Sequence, residues 1–348
     1  MKRRAFMLSC LLSAIAEATP QYAKVLRGLV LQFPRDHGAH SDFRTEWWYV
    51  TGALDLPRKD IGFQLTFFRV RTGFAEALGS KIAANQILFA HAAVTMPGDK
   101  LLHAERAARA NLGAGYSSAD CDVHIGAWQM KRGSADVFAL KAQDAQFAFD
   151  IALKPTQPKM LQGDAGFSQK GARAEQASYY VTWPQLQVDG SIVLDGKSQR
   201  AQGTAWFDHE WSSEVLGETD VGWDWLGINL ADGGALMAFR IRDAVGATVF
   251  AHATLRDAAG RTTLWSGNDV QFKALRKWRS ARGTEYPVEI ELRFGPHVIR
   301  TKPTIDDQEL STRRPAPVTY WEGLVHVEGT LMGRGYLELT GYAGKIVL

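Results

Sequence analysis

Phe89-Ala90-His91-Ala92 recurs as Phe250-Ala251-His252-Ala253, and the motifs before each copy come in the same order. Leu65-Thr66-Phe67-Phe68-Arg69 is answered by Leu236-Met237-Ala238-Phe239-Arg240, and Trp47-Trp48-Tyr49-Val50-Thr51-Gly52 by Trp223-Asp224-Trp225-Leu226-Gly227. Three matches in one order argue for a duplicated unit. That unit reads as β. Residues 43–50, 62–71 and 88–95 alternate or carry β-branched and aromatic side chains, and turn residues at 55–57, 59–60 and 97–99 punctuate them. Residues 136–154 read as a hairpin, and only 104–112 (AERAARANL) suggests a short helix. Many short strands with almost no helical period predict an all-β fold of two tandem antiparallel barrels. A barrel of about eight strands has room for one small ligand.

The chain has 348 residues, enough for two domains with separate cores. We place a leader at 1–18, one barrel at 19–200 and a second at 201–348. The leader has a basic start (Lys2, Arg3, Arg4), an apolar run from Ala5 to Ala16 and a small-x-small site at Ala16-Glu17-Ala18. This is the pattern of a cleaved export signal, and it predicts a periplasmic protein. The same segment would also suit a helix lying on a membrane surface. Its removal lowers the net charge from +3 to about +1 and leaves Cys121 as the only thiol, so no intramolecular disulfide can form. Basic residues are scattered apart from a patch at 276–282, which gives little support to nucleic-acid binding. No protein partner is named by the sequence.

The stretch 203–227 gathers Trp206, Trp211, Trp223 and Trp225 around Asp208, His209, Glu210 and Asp224. Indoles make an apolar wall with few polar anchors, and acids held against such a wall change their protonation. In a regular strand Trp206, Asp208 and Glu210 share one face, while Phe207, His209 and Trp211 share the other. Asp208 would then cooperate with Glu210 or Asp224 and not with His209. Arg44, Glu46 and Trp48 likewise share a face, as an ion pair closing a barrel end or as an anchor for a ligand headgroup. Tyr320, Trp321 and Glu322 form a further candidate group. Arg69 and Arg240 occupy equivalent repeat positions, which favours a structural role in pairing with Glu46 and Asp224.

These motifs resemble the AttH-type lipocalin-like family that includes carotenoid 1,2-hydratase (hydroxyneurosporene synthase). The resemblance is carried by residues 43–49 (FRTEWWY), 206–211 (WFDHEW), 320–323 (YWEG) and 335–342 (GYLELTGY), and it runs from about residue 30 to the C-terminus. It implies two lipocalin-like barrels. It also implies a choice of activities, since the family includes carotenoid hydratases, relatives catalysing cycloadditions and exported members called hydrolases.

Water addition to an isolated C=C requires a strong acid in a dry site. An Asp ionises at about 3.9, so apolar walls must raise it toward neutrality, a change of about 4 kcal/mol in the carboxylate. Asp208 is our candidate acid, with Glu210, Asp224 or His209 as the second group. Trp48, Trp206, Trp211, Trp223, Trp225, Glu46, Arg44, Tyr320, Trp321 and Glu322 are candidates for ligand binding. The same residues would also serve as a polar network at a barrel rim. His209-Glu210-Trp211-Ser212-Ser213-Glu214 lacks the second histidine of HExxH, so no metal is expected, nor any other cofactor. No Gly-x-Ser-x-Gly elbow supports serine hydrolase chemistry. The expected ligand is a long apolar isoprenoid or lipid, either hydrated or isomerised as a substrate or merely carried by a cell-envelope transport protein. A module binding a protein partner through exposed tryptophans is the third class.

Overall fold

The computed structural model describes residues 21–56, 59–74, 76, 83–96, 98 and 100–346; the expected leader at 1–18 lies outside them. Eleven strands close into a ring. Its order is Ala177–Leu194, Lys197–Glu214, Thr45–Leu56, Lys59–Arg71, Gln86–Met96, Lys100–Ala110, Gly113–Tyr116, Asp122–Ile125, Trp128–Arg132, Phe138–Gln143 and Phe147–Pro155, which pairs back on Ala177–Leu194. All pairings in the ring are antiparallel except that of Lys100–Ala110 with Gly113–Tyr116. The second sheet runs Thr262–Ser266, Thr248–Arg256, Ala235–Asp243, Asp220–Leu230, Gly333–Leu339, Val318–Gly329, His297–Pro303, Glu285–Phe294 and Val270–Arg279, with Glu309–Thr312 added to Val318–Gly329. Among the described residues its two end strands do not pair with each other, so this sheet is curled and not closed.

The fold is all-β with two barrel-like domains, as the pattern implied. Three details differ. The closed barrel has eleven strands, not about eight. Residues 104–112 lie in and just after a strand, Lys100–Ala110, because the ladder offered by Gln86–Met96 outweighs the intrinsic helix preference of an Ala- and Arg-rich segment. The division at 200/201 cuts through Lys197–Glu214, which pairs on both sides within the first ring; the sheets change between Glu214 and Asp220. The strand is 18 residues long and pairs with Ala177–Leu194 from Lys197 to Glu214, so both sides of the division lie in one sheet.

The duplication appears as a meander repeated in each domain. Thr45–Leu56 pairs with Lys59–Arg71 and that with Gln86–Met96; Asp220–Leu230 pairs with Ala235–Asp243 and that with Thr248–Arg256. In register, Glu46 faces Arg69 and Asp224 faces Arg240, and both pairs are ion pairs at 2.8 and 2.7 Å. Glu46 therefore corresponds to Asp224, and the tryptophan that answers Trp47 is Trp225, two residues beyond the match made on Trp223.

Alternation then sorts the side chains. From the Thr45–Leu56 strand, Trp48, Val50 and Leu54 enter the barrel, where they meet Phe63, Phe67, Phe138, Phe149, Trp183 and Phe207. Burial of each such side chain stabilises the fold by about 1.5–3 kcal/mol. Tyr49 and Ala53 point outward to a seam shared with Trp225, Met237, Phe239, Leu324 and Tyr336 of the second domain. At Gly227 a Cβ would come within 2.4 Å of the Trp225 ring, so this glycine lets the indole lie along its own strand.

Candidate functional site

The cavity with the strongest chemistry lies between the domains, not inside a barrel. Its volume is about 290 Å³, and residues 314–316 bring it to the surface. Its first wall is the outer face of the closed barrel. A row of cross-strand partners, Thr182, Asp208, Tyr49, Thr66 and His91, crosses that face, and Glu210, Trp47 and Phe68 lie in the next row. The facing wall is a row of the curled sheet: Phe239, Trp225, Glu338 and Glu322. Val318 and the loop 312–316 contribute from the rim.

Asp208 is buried. Its Oδ1 accepts from Thr182 Oγ1 at 2.6 Å, and its Oδ2 accepts from the Tyr180 hydroxyl at 2.7 Å. Tyr180 in turn accepts from Trp225 Nε1 at 2.9 Å, which joins the two walls. Burial pushes the Asp208 carboxyl up to about 7, against the pull of those two hydroxyl donors. Glu210, on the same face, is compensated by Lys170 Nζ at 2.8 Å and accepts from Ser178. The Lys170 ammonium also lies over the rings of Phe239 and Tyr180, at 4.1 and 4.7 Å.

On the opposite wall, Glu322 accepts from the Tyr49 hydroxyl and from Gln64 Nε2, both at 2.5 Å, and Glu338 accepts from Trp223 Nε1 at 2.8 Å. Burial raises both carboxyls, Glu338 to about 7, and the repulsion of Glu338 adds to the rise at Glu322. His91 donates to or accepts from the Tyr320 hydroxyl through Nδ1 at 2.8 Å, and burial lowers its pKa to about 3.

Of the residues singled out in the sequence, Asp208, Glu210, Trp223, Trp225, Tyr320 and Glu322 line this cavity, and Glu46 only borders it, its carboxylate turned to the other side of the strand. Trp206 packs edge-on to Trp225, with ring centroids 6.3 Å apart, in the seam beside it. The others do not meet there. Asp224 belongs to the second sheet's own ion cluster with Arg240, Arg242 and Tyr342, because Asp220–Leu230 is not a neighbour of Lys197–Glu214. Arg44 is exposed and its guanidinium lies over Tyr22. Trp321 faces the second core, donating to the Asp306 carbonyl.

His209, Trp48 and Trp211 sit on the far side of their strands, as alternation requires. There His209 Nε2 and His40 Nδ1 meet Glu46 Oε1 at 3.0 and 2.8 Å, His40 stacks on Trp211 at 3.8 Å, and Trp48 stacks on His209 at 5.0 Å. His40, Glu46 and His209 have the donor set of a cation site. Glu46, however, is already balanced by Arg69. Burial opposes charge on His40, but Asp36 and Glu46 outweigh it and raise its pKa. We read the cluster as the polar lock of the barrel end.

Sequence reasoning missed Glu338, Tyr49, Tyr180, Gln64 and Lys170. Glu338 carried a signal: an acid set between Leu337 and Leu339, on the face of Gly333–Leu339 opposite to the one that those leucines bury in the second core. Lys170 carried none, since it follows a three-residue strand, Phe167–Gln169.

Residues 24–342 match the family model described as AttH-like. The chain belongs to the AttH-like family. A solved AttH protein from Nitrosomonas europaea is 44% identical, with 92% of this chain and 99% of that one covered and a TM-score of 0.86. Kievitone hydratase from Nectria haematococca shares the fold at 16% identity and a TM-score of 0.67, over 94% of this chain and 97% of that one. CghA does so at 13% identity and a TM-score of 0.52, over 87% and 90%. No curated protein sequence matches the chain. A hydratase thus stands among the structural neighbours of this AttH-like chain.

Proposed function

We propose that this AttH-like protein is an exported hydro-lyase that adds water to the terminal C=C of an isoprenoid chain, as carotenoid 1,2-hydratase does. The observation that carries the reading is Asp208: a carboxyl near neutrality, buried in a cavity with three indoles, Trp47, Trp223 and Trp225. In this mechanism the Asp208 carboxyl donates its proton to the less substituted alkene carbon. The adjacent carbon becomes a tertiary cation, which indole faces stabilise by about 0.5–2 kcal/mol each. Water adds to the cation, and a second group takes its extra proton. A cavity of about 290 Å³ accepts a chain terminus, with the remainder of a long ligand leaving past residues 314–316.

The test is incubation of the purified mature protein with lycopene or neurosporene in detergent, and separately with a short prenylated phenol, beside Asp208→Asn. Mass spectrometry reads products heavier by one water. Product from the wild type and none from the variant supports the hydratase and its acid. Ligand retained without product in either protein moves the reading to a lipid carrier using the same cavity.

A further inference from the structure

Glu322 and Glu338 are direct cross-strand partners on the Val318–Gly329 and Gly333–Leu339 strands, with both side chains on the cavity face. Glu322 is 2% exposed, and the hydrogen-bond partners of the two carboxyls among the described residues are the Tyr49 hydroxyl, the Gln64 amide and the Trp223 indole. All three partners are neutral. Three other buried acids have a cation, Glu46 with Arg69, Asp224 with Arg240 and Arg242, and Glu210 with Lys170, whereas this pair, like Asp208, has only neutral donors. Like charges directly opposite on a sheet repel, and in a cavity of low polarity that repulsion is not screened. Two carboxyls so placed titrate as one unit, with one proton between them.

We propose that Glu322 and Glu338 share a single proton and form the group that meets the oxygen of the water or hydroxyl on the ligand, facing the Asp208 wall. This rests on the hydration reading for its chemical meaning. In the forward direction Asp208 loses its proton to carbon, and the C–O bond forms from the water lone pair. The O–H proton of the attacking water then passes to the ionised member of the pair. Atoms and charge balance: Asp208 ends ionised and the pair ends with two protons, and exchange with solvent returns one proton to Asp208. The other titratable or charged groups around the cavity are Tyr49, Tyr180, Tyr320, Tyr336, His91, Asp208, Glu210 with its Lys170, Arg69 and Arg314; Lys170 is held by Glu210, Arg69 by Glu46, and Arg314 belongs to the rim loop.

The experiment is infrared spectroscopy of the C=O stretch of protonated carboxylic acids, in mildly alkaline buffer where ordinary carboxyls are ionised. Wild type, Asp208→Asn, Glu322→Gln, Glu338→Gln and the double glutamine variant are compared, each checked for folding by near-ultraviolet circular dichroism. Geraniol serves as the hydroxyl-bearing apolar probe. The expected result is a band that survives Asp208→Asn and vanishes in the double variant. In each single variant it disappears at a lower pH than in the wild type, and geraniol shifts it in the wild type. A band that persists in the double variant overturns the sharing. So does a midpoint that single substitution leaves in place. A band unaltered by excess geraniol overturns the contact with the ligand oxygen. None of these readouts uses turnover, so absence of a hydrated product counts against the hydratase reading alone.

Discussion

Trp225 of the curled sheet donates its indole hydrogen to the Tyr180 hydroxyl of the closed barrel at 2.9 Å, and Tyr180 passes its own hydrogen to Asp208 at 2.7 Å. One phenol thus ties the position of the second domain to the proton affinity of the candidate acid.

Replacing Tyr180 by Phe removes a donor that favours the ionised form of Asp208 and strands the Trp225 N–H. Loss of a buried partner costs about 1–3 kcal/mol. We expect that decrease in chemical denaturation. We also expect the alkaline limb of the activity profile, where Asp208 gives up its proton, to move to higher pH. An unmoved limb would separate Asp208 from the reaction.

Asp208 should also make stability depend on pH. Its ordinary value is 3.8 and its value in the folded protein is about 7, so the folded chain keeps a proton that the unfolded chain has released. The contribution is complete below pH 3.8 and is lost as pH rises to about 7, in total about 4 kcal/mol. Asp208→Asn should therefore gain stability relative to wild type across that window and hold a constant difference above it. Urea titrations at a series of pH values provide the comparison, and parallel curves would contradict a raised carboxyl.

At the barrel end, Arg69→Met leaves Glu46 buried without its cation. A cost of about 3–5 kcal/mol is expected. The double change Glu46→Gln with Arg69→Met should recover part of that, since no net charge remains buried. Additive losses in a double-mutant cycle would show that the two residues do not act as a pair.

The loop beside the cavity hangs on one acid: Glu105 Oε2 accepts from the backbone N–H groups of Arg313 and Arg314, at 2.7 and 3.4 Å. Glu105→Ala should change global stability by no more than about 1 kcal/mol. Its effect should fall on exchange, with binding and release of an apolar probe both faster and Kd little altered. Stopped-flow tryptophan fluorescence measures this, and unaltered rates would mean that the loop is not on the ligand's path.

Local period made part of this site legible. That Asp208 and Glu210 share a face while His209 turns away follows from alternation alone, and Glu46–Arg69 with Asp224–Arg240 followed from equivalent positions in the repeat. The rest depended on which strand lies beside which. Asp224 is close to Asp208 in sequence, yet the sheet changes between them, and its neighbours become Arg240 and Arg242. Glu338 reaches Glu322 through a sheet register, and both reach the Asp208 wall only when the domains pack. Nothing in the local pattern specified that docking. Closure was equally hidden, because whether the end strands of a sheet meet depends on strand number and twist.

Neither half of the duplicated chain contains this cavity. Asp208 with its hydroxyl donors and Glu210 with its lysine stand on one jaw, and the paired carboxyls and the rim loop on the other, joined through residues 215–219. The cleft exists only where the two sheets face each other, so their pairing is itself what makes a place where a ligand can be gripped. It also left two surfaces that can drift separately. Changes on the curled sheet can refit the grip to a different molecule while the Asp208 jaw stays as it is, which gives one fold a route to several chemistries.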